Sequence, residues 1–137
     1  MAWQTPVVSS ATNYFNYTDW NRIEGNCVAL AALFQTCGYT VALTTVTSRA
    51  DGTYLDFYDS INRIEGNILA LYACYRITPS GWITPKTTWT YDQSFSFADT
   101  NRMEGNTLAL YNLVNGIIQE YVVCGQSLAI CGLTWNN

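Results

Sequence analysis

The stretch NRIEGN at residues 21–26 returns unchanged at residues 62–67, and it occurs once more at residues 101–106 as NRMEGN. The likeness extends in both directions, to YTDWNRIEGNCVALAALF at 17–34, YDSINRIEGNILALYACY at 58–75 and FADTNRMEGNTLALYNLV at 97–114. Self-similarity at a period of about forty residues indicates a repeat architecture, in which one small unit is stacked because it cannot bury its apolar face alone.

Each copy carries apolar residues at the 3.6-residue spacing of an amphipathic helix, and the third pattern continues through Ile117 and Ile118. A residue that favours helix N-termini precedes each pattern, because its side-chain oxygen can accept the first unpaired backbone N–H groups. The predicted helix caps are Asp19, Ser60 and Asp99.

The segments between the predicted helices have a different composition. YTVALTTVTS (39–48) and WITPKTTWTY (82–91) are rich in Thr, Val and aromatic residues, which favour extended strands, and YVVCGQSLAICGLTW (121–135) suggests two more. We therefore predict an α+β fold, a small helical bundle in which an extended arm or short strand precedes each helix. Residues 1–137 form a single domain of three repeats, about 1–38, 39–78 and 79–121, with a strand-like C-terminal tail at 122–137.

The polar residues of the hexapeptide could form a catalytic site or structural joints between the repeats. A catalytic reading requires the three glutamates to converge, or each arginine to meet a substrate anion. A site for catalysis is normally built once from unlike residues, whereas a threefold motif suits the joints of a pseudo-symmetric assembly. We predict joints in which each arginine is buried against a glutamate or carbonyl, and in which the glycines allow close helix approach. The predicted joint residues are Asn21, Arg22, Glu24, Gly25, Asn26, Asn62, Arg63, Glu65, Gly66, Asn67, Asn101, Arg102, Glu104, Gly105 and Asn106.

Composition argues against several functional classes. The chain has a net charge of -4, only six Lys and Arg, and no His, which disfavours nucleic-acid binding and mixed metal sites. Its N-terminus lacks a signal-peptide pattern, and no apolar run approaches the ~20 residues that span a bilayer. We expect a protein made in the cytoplasm, with no cofactor, no metal and no membrane partner. The five cysteines (Cys27, Cys37, Cys74, Cys124 and Cys131) are expected to be mostly buried thiols.

Residues 82–113, WITPKTTWTYDQSFSFADTNRMEGNTLALYNL, resemble a segment common in tail and other structural proteins of phages that infect Gram-positive bacteria. The shared form is a Thr-Pro-Lys-Thr-x-Trp entry, an aromatic-rich turn, and an Asp-x-Asn-Arg-Ile-Glu-x-Asn helix start. The first copy matches from WQTP (3–6) through residue 26 without the Lys-Thr-x-Trp part, and the middle copy keeps only the helix. This resemblance implies a virion location and a structural role without enzymatic activity.

Three functional classes remain open at this stage. The first is a virion structural protein of the tail, baseplate or an appendage, which binds itself and other virion proteins as a homo-oligomer. The second is a small phage-encoded inhibitor of a host defence protein, and the third is a glycan-degrading enzyme using carboxylates among Asp51, Asp56 and Asp59. If the first holds, the candidate interface residues are Trp3, Trp82 and Trp89, because aromatic residues in extended segments favour protein interfaces.

Overall fold

A computed structural model describes residues 2–12, 16–44, 49–50 and 58–127, with side chains described to residue 119. It contains three helices, α1 (Tyr17–Thr36), α2 (Tyr58–Tyr75) and α3 (Phe97–Ser127). Each helix holds one copy of the hexapeptide, so the repeat period corresponds to one helix and the segment that leads to it.

Each helix begins two residues before its predicted cap. Asn16 is the N-cap of α1, and Asp19 is the third helical residue, whose carboxylate accepts from the Asn16 backbone N–H in a capping box. In α3 the Ser96 backbone N–H likewise donates to Asp99, at 2.8 Å. Ser60 is the third residue of α2. The cap assignment was wrong because Asp favours both the N-cap and the first turn of a helix.

Buried residues along each helix follow a four-three spacing, which we call the seam of that helix. Such spacing is typical of helices that pack side by side as in a coiled coil. Equivalent seam positions of the three helices are buried, or partly buried at Tyr75, in and around one hydrophobic core. The equivalent sets are Trp20/Ile61/Thr100, Ile23/Ile64/Met103, Cys27/Ile68/Thr107, Leu30/Leu71/Leu110 and Phe34/Tyr75/Val114.

The three helices run in the same direction, since each hexapeptide arginine contacts the hexapeptide glutamate of another helix near its N-terminal end. Parallel neighbours require connections that return to the starting level. Residues 37–57 and 76–96 are long enough, because twenty extended residues reach about 65 Å whereas α1 is about 30 Å long. The first return begins at Gly38, where φ is +90° and the Tyr39 N–H bonds back to the Phe34 carbonyl, 3.0 Å away.

The α+β prediction was wrong, because the described residues contain helices and no strand. The predicted strands are represented by irregular segments that we call arm 1 (residues 3–9), arm 2 (39–44 and 49–50) and arm 3 (82–90). Their backbone groups bond to helix side chains rather than to a second strand, as described below. In the predicted strand-like tail, residues 122–127 belong to α3, and residues 128–137 lie outside the described part of the chain.

Candidate functional site

The second asparagine of each hexapeptide binds the backbone of the arm that leads to its own helix. Its side chain accepts from one arm N–H and donates to the carbonyl of the same residue, as a neighbouring strand would. For Asn26 and Gln4 both distances are 2.8 Å. The same pairing joins Asn67 to Thr44, and Asn106 to Ile83.

The first asparagine makes the same two-way contact with the arm of the following repeat. Asn21 binds Arg49 of arm 2, and Asn62 binds Trp89 of arm 3. Asn101 of the last helix binds Ser9 of arm 1, at 2.7 and 3.0 Å. Each arm therefore lies between two helices, and the third joint closes the cycle onto the beginning of the chain.

The glutamates and arginines form a second cycle with the same order. Arg63 binds Glu24 with two guanidinium nitrogens, Arg102 binds Glu65, and Arg22 binds Glu104. The two Arg102–Glu65 bonds are both 2.7 Å long, the bidentate geometry that makes arginine–carboxylate pairs strong. The glutamate residues are only 1%, 0% and 2% exposed, so each charge depends on these partners for compensation.

Both oxygens of the Glu65 carboxylate accept hydrogen bonds from protein donors. Its Oε1 accepts from Arg102 Nε and from the Lys86 backbone N–H, while its Oε2 accepts from Arg102 Nη2 and from Trp89 Nε1. Glu104 similarly accepts from the Val7 backbone N–H at 2.8 Å. The oxygens of these carboxylates accept hydrogen bonds from protein donors. A nucleophile or general base, by contrast, would need a lone pair that is open to a substrate.

The joints differ in their additional charges. Arg22 and Arg102 also bind an aspartate one helical turn earlier, Asp19 and Asp99, at 2.8 and 2.9 Å. The corresponding position of α2 is Ser60. At the joint between Arg63 and Glu24, the carboxylate binds a second guanidinium, that of Arg49, instead. The Arg49 guanidinium also lies 5.6 Å from the Trp20 ring. Sequence reasoning missed Arg49, because it stands in an arm and belongs to no repeated motif.

At the third joint, between Arg22 and Glu104, the pKa shifts show that the partners of each charge oppose the effect of burial. Burial raises the pKa of Glu104, against the lowering effect of hydrogen bonds from Arg22 and the Val7 N–H. For Arg22 burial lowers the pKa, but hydrogen bonds to Glu104 and Asp19 outweigh it and leave the pKa raised. Contacts of 2.7 to 2.8 Å between the two groups favour the ionised pair at neutral pH.

These differences predict unequal effects of removing an arginine. We expect Arg102→Ala to lower the free energy of unfolding by about 3 kcal/mol, because it leaves the charge of buried Glu65 without a cation. Arg63→Ala should cost about 1 kcal/mol, since Arg49 still compensates Glu24. Urea unfolding followed by circular dichroism measures both. Equal losses in the two variants would contradict the compensating role of Arg49.

The hexapeptide glycines do not all serve close helix approach. A Cβ atom added at Gly66 or Gly105 would meet no atom within 4 Å, so at these two positions that prediction was wrong. Because alanine is the better helix former, Gly105→Ala is expected to stabilise the protein by about 0.5–1 kcal/mol. Thermal unfolding tests this directly, and a lower melting temperature would show that Gly105 has a contact requirement.

Two of the three candidate interface tryptophans stack on helix tyrosines. Trp3 lies on Tyr111 with ring centroids 3.9 Å apart, and Trp82 lies on Tyr72 at 4.6 Å. Both remain partly exposed. Trp89 is only 3% exposed, bonds to Glu65 and carries Lys86 Nζ 3.9 Å above its ring. The structure therefore makes Trp89 an intramolecular contact, contrary to the interface prediction.

Burial disfavours the thiolate form of two cysteines, Cys27 and Cys74. Burial and the nearby Glu24 charge raise the pKa of Cys27 to about 12, and burial raises the pKa of partly exposed Cys74. Since the thiolate is the reactive form, we expect a thiol reagent at pH 8 to leave Cys27 unmodified in the folded protein. Peptide mass spectrometry should show Cys74 labelled slowly and Cys27 labelled only in urea. Rapid labelling of Cys27 under native conditions would contradict its burial.

No other chemistry-bearing constellation emerges from the described part of the chain. There, no three His, Cys, Asp or Glu side chains are placed to hold a metal ion, and no helix has the length and apolarity to cross a membrane. Asp51 and Asp56, considered for glycan cleavage, lie outside the described residues, and Asp59 is exposed at the start of α2. Comparisons with protein-family models, curated proteins and solved structures found no match to the chain.

Proposed function

We propose that the protein is a structural subunit of a phage virion, in the tail, baseplate or an appendage, and that it acts by self-assembly and protein–protein contacts rather than by catalysis. The observation that carries this proposal is the use of the repeated motif. Its asparagine, glutamate and arginine side chains bind arms and neighbouring helices within the chain, and the buried glutamates have their oxygens occupied. A motif used in this way supports a rigid scaffold.

The exposed surface supports a role among protein neighbours. Val8, Ile83 and Tyr91 are 86%, 58% and 88% exposed, although each belongs to or adjoins an arm anchored on both sides. Large apolar side chains held on a rigid frame suit protein interfaces, because little conformational freedom is lost when a partner covers them. With charged residues at only 12% of the sequence, the surface also has few charges to oppose such contact.

The virion setting rests on the resemblance of residues 82–113 to segments of phage structural proteins. The two elements of that resemblance, the Thr-Pro entry and the Asn-Arg-x-Glu helix start, contact each other here. Ile83 binds Asn106 of the helix start that follows, whereas the N–H of Lys86, which follows Pro85, binds Glu65 of the preceding helix. The shared segment therefore links two neighbouring helices, a role that suits a repeated structural unit.

Mass spectrometry of particles purified by density gradient, beside the particle-free lysate, tests the location. We expect the chain in the particle fraction at many copies per particle, and negative-stain electron microscopy of the isolated protein should show rings, tubes or fibres. Recovery only in the particle-free fraction, bound to a host protein, would replace this proposal with the inhibitor class.

A further inference from the structure

Arm 1 is held by four side chains that belong to two helices far apart in sequence. Together they make five hydrogen bonds to the backbone of arm 1 and one ring stack on Trp3. We call this set the arm 1 seat, and it comprises Asn26 of α1 together with Asn101, Glu104 and Tyr111 of α3.

Arm 1 differs from the other arms in how the chain connects it. The chain runs from α1 through arm 2 into α2, and from α2 through arm 3 into α3, so arms 2 and 3 are connected to both helices that hold them. Arm 1 is connected to α1 but not to α3. Between Ser9 and Asn16, the N-cap of α1, seven extended residue steps reach about 24 Å. Arm 1 can therefore leave its seat and reach a neighbouring molecule while every helix stays in place.

Arm 1 also lacks the buried anchor of the other arms. The first asparagine of a hexapeptide binds Arg49 in arm 2 and Trp89 in arm 3, and these residues are 6% and 3% exposed. The equivalent residue of arm 1 is Ser9, which is small and partly exposed. Less side-chain surface returns to water when Ser9 leaves its asparagine than when Trp89 does, so we expect arm 1 to be released more easily than arm 3.

We infer that arm 1 is an exchangeable element, and that arm 1 of one copy of the chain occupies the arm 1 seat of a second copy, which returns its own arm 1 in the same way. The exchanged dimer contains the same hydrogen bonds and ring stacks as two closed monomers, so these contacts do not oppose exchange. The outcome depends on protein concentration relative to the effective concentration of an arm at its own seat, on the order of 1 mM for short linkers.

This inference names a contact for the proposed self-assembly and so rests on the proposed function. Copies held side by side in an assembly have a high local concentration, which favours exchange over closure. The partner is a second copy of the chain, because the seat binds the backbone and the tryptophan of arm 1 itself.

The test uses the full chain without substitution. Equal amounts of isotopically labelled and unlabelled chain are unfolded together in urea, refolded at about 1 mM and separated by size exclusion. We expect a dimer fraction with twice the 15.4 kDa mass of the chain. In that fraction, an isotope-filtered NOE experiment should show cross-peaks between the Trp3 ring of one copy and the Tyr111 ring of the other, because these rings stack 3.9 Å apart.

The stack of Trp82 on Tyr72 is the matched internal control. Its ring centroids are 4.6 Å apart, and the chain runs directly from α2 into arm 3. Cross-peaks between differently labelled copies should be absent at this stack. Their presence at both stacks would overturn the inference, because a larger part of the chain than arm 1 would then be exchanged. A chain that stays at 15.4 kDa after refolding, or a dimer without cross-peaks between copies at Trp3, would also overturn it.

A chain that lacks residues 2–9 gives a second measurement. It carries the seat but no arm, so we expect no dimer after refolding at the same concentration. A dimer fraction equal to that of the parent would contradict arm exchange. The NOE experiment on the full chain does not depend on the stability of this variant.

These outcomes separate the inference from the proposed function. If the chain is found in purified particles but its dimer shows no cross-peaks between copies, another contact mediates assembly, and the inference fails while the proposed function stands. If arm 1 is exchanged between copies but the chain is absent from purified particles, the proposed function fails and the inference stands.

Discussion

Replacement of Glu65 by alanine is expected to lower the free energy of unfolding by about 4 kcal/mol, a large share of the stability of a domain this size. The reason is the number of donors that depend on one carboxylate. Two nitrogens of Arg102, the Lys86 N–H and the Trp89 indole all lose their acceptor together. Arg102, with a side chain only 13% exposed, would retain a poorly solvated charge beside Asp99 alone.

Chemical denaturation followed by tryptophan fluorescence measures this loss, because Trp89 reports directly on the joint. Asp92→Ala removes an exposed carboxylate whose hydrogen-bond donor, the Thr90 hydroxyl, is also exposed, and should change the unfolding midpoint little. The double variant Glu65→Ala/Arg102→Ala should be less destabilised than the sum of the single variants, since neither Glu65 nor Arg102 then remains without the other. Strict additivity would mean that the two side chains do not interact energetically.

The helices and the joints could be predicted because each copy repeats the pattern. Three occurrences of one hexapeptide, each followed by apolar residues at helical spacing, indicate the helices directly. The role of Asn21, Asn62 and Asn101 in binding a neighbouring arm has no local signal, because their partners stand 28, 27 and 92 residues away. Only the tertiary structure shows that the joints combine side-chain contacts with hydrogen bonds to the backbone of the arms.

The strand prediction was wrong because asparagine side chains, rather than a second strand, bind the backbone of the arms. Thr, Val and aromatic residues favour non-helical backbone, and residues 82–90 are indeed non-helical. A strand, however, also requires a second backbone to bond, and that requirement cannot be read from one segment. At Ile83 and Trp89 the amides of Asn106 and Asn62 supply the donor and the acceptor that a neighbouring strand would have supplied. The arms thus satisfy the backbone requirement of a sheet without forming one.

Arm 1 completes the cycle of contacts by binding α3, although the chain does not run from α3 into arm 1. Arms 2 and 3 continue directly from α1 and α2, whereas arm 1 reaches α3 across more than ninety residues of sequence. Its contacts are a bidentate pair with Asn26, another with Asn101, the Val7 N–H bond to Glu104, and the stacking of Trp3 on Tyr111.

Deletion of residues 2–9 is therefore expected to destabilise the protein by about 5 kcal/mol, at about 1 kcal/mol for each of five hydrogen bonds. Asn26 and Glu104, which are 0% and 2% exposed in the intact chain, would lose arm partners that no other described residue replaces. Thermal and urea unfolding of the truncated chain measure the loss. A truncated chain as stable as the parent would show that arm 1 merely rests on the surface.

A synthetic peptide of residues 1–12, added to the truncated chain, should restore part of that stability. It can remake every arm 1 contact, but it must bind as a separate molecule, so we expect weak affinity, on the order of 100 µM. The Trp3→Ala peptide should fail, because it lacks the ring that stacks on Tyr111. A peptide of residues 80–91 should bind measurably, since Trp82 and Ile83 contact their helices as Trp3 and Gln4 do. If the 1–12 peptide raises the melting temperature and the 80–91 peptide does not, the joints are not equivalent, and the threefold repeat would describe the sequence without describing how the fold is held together.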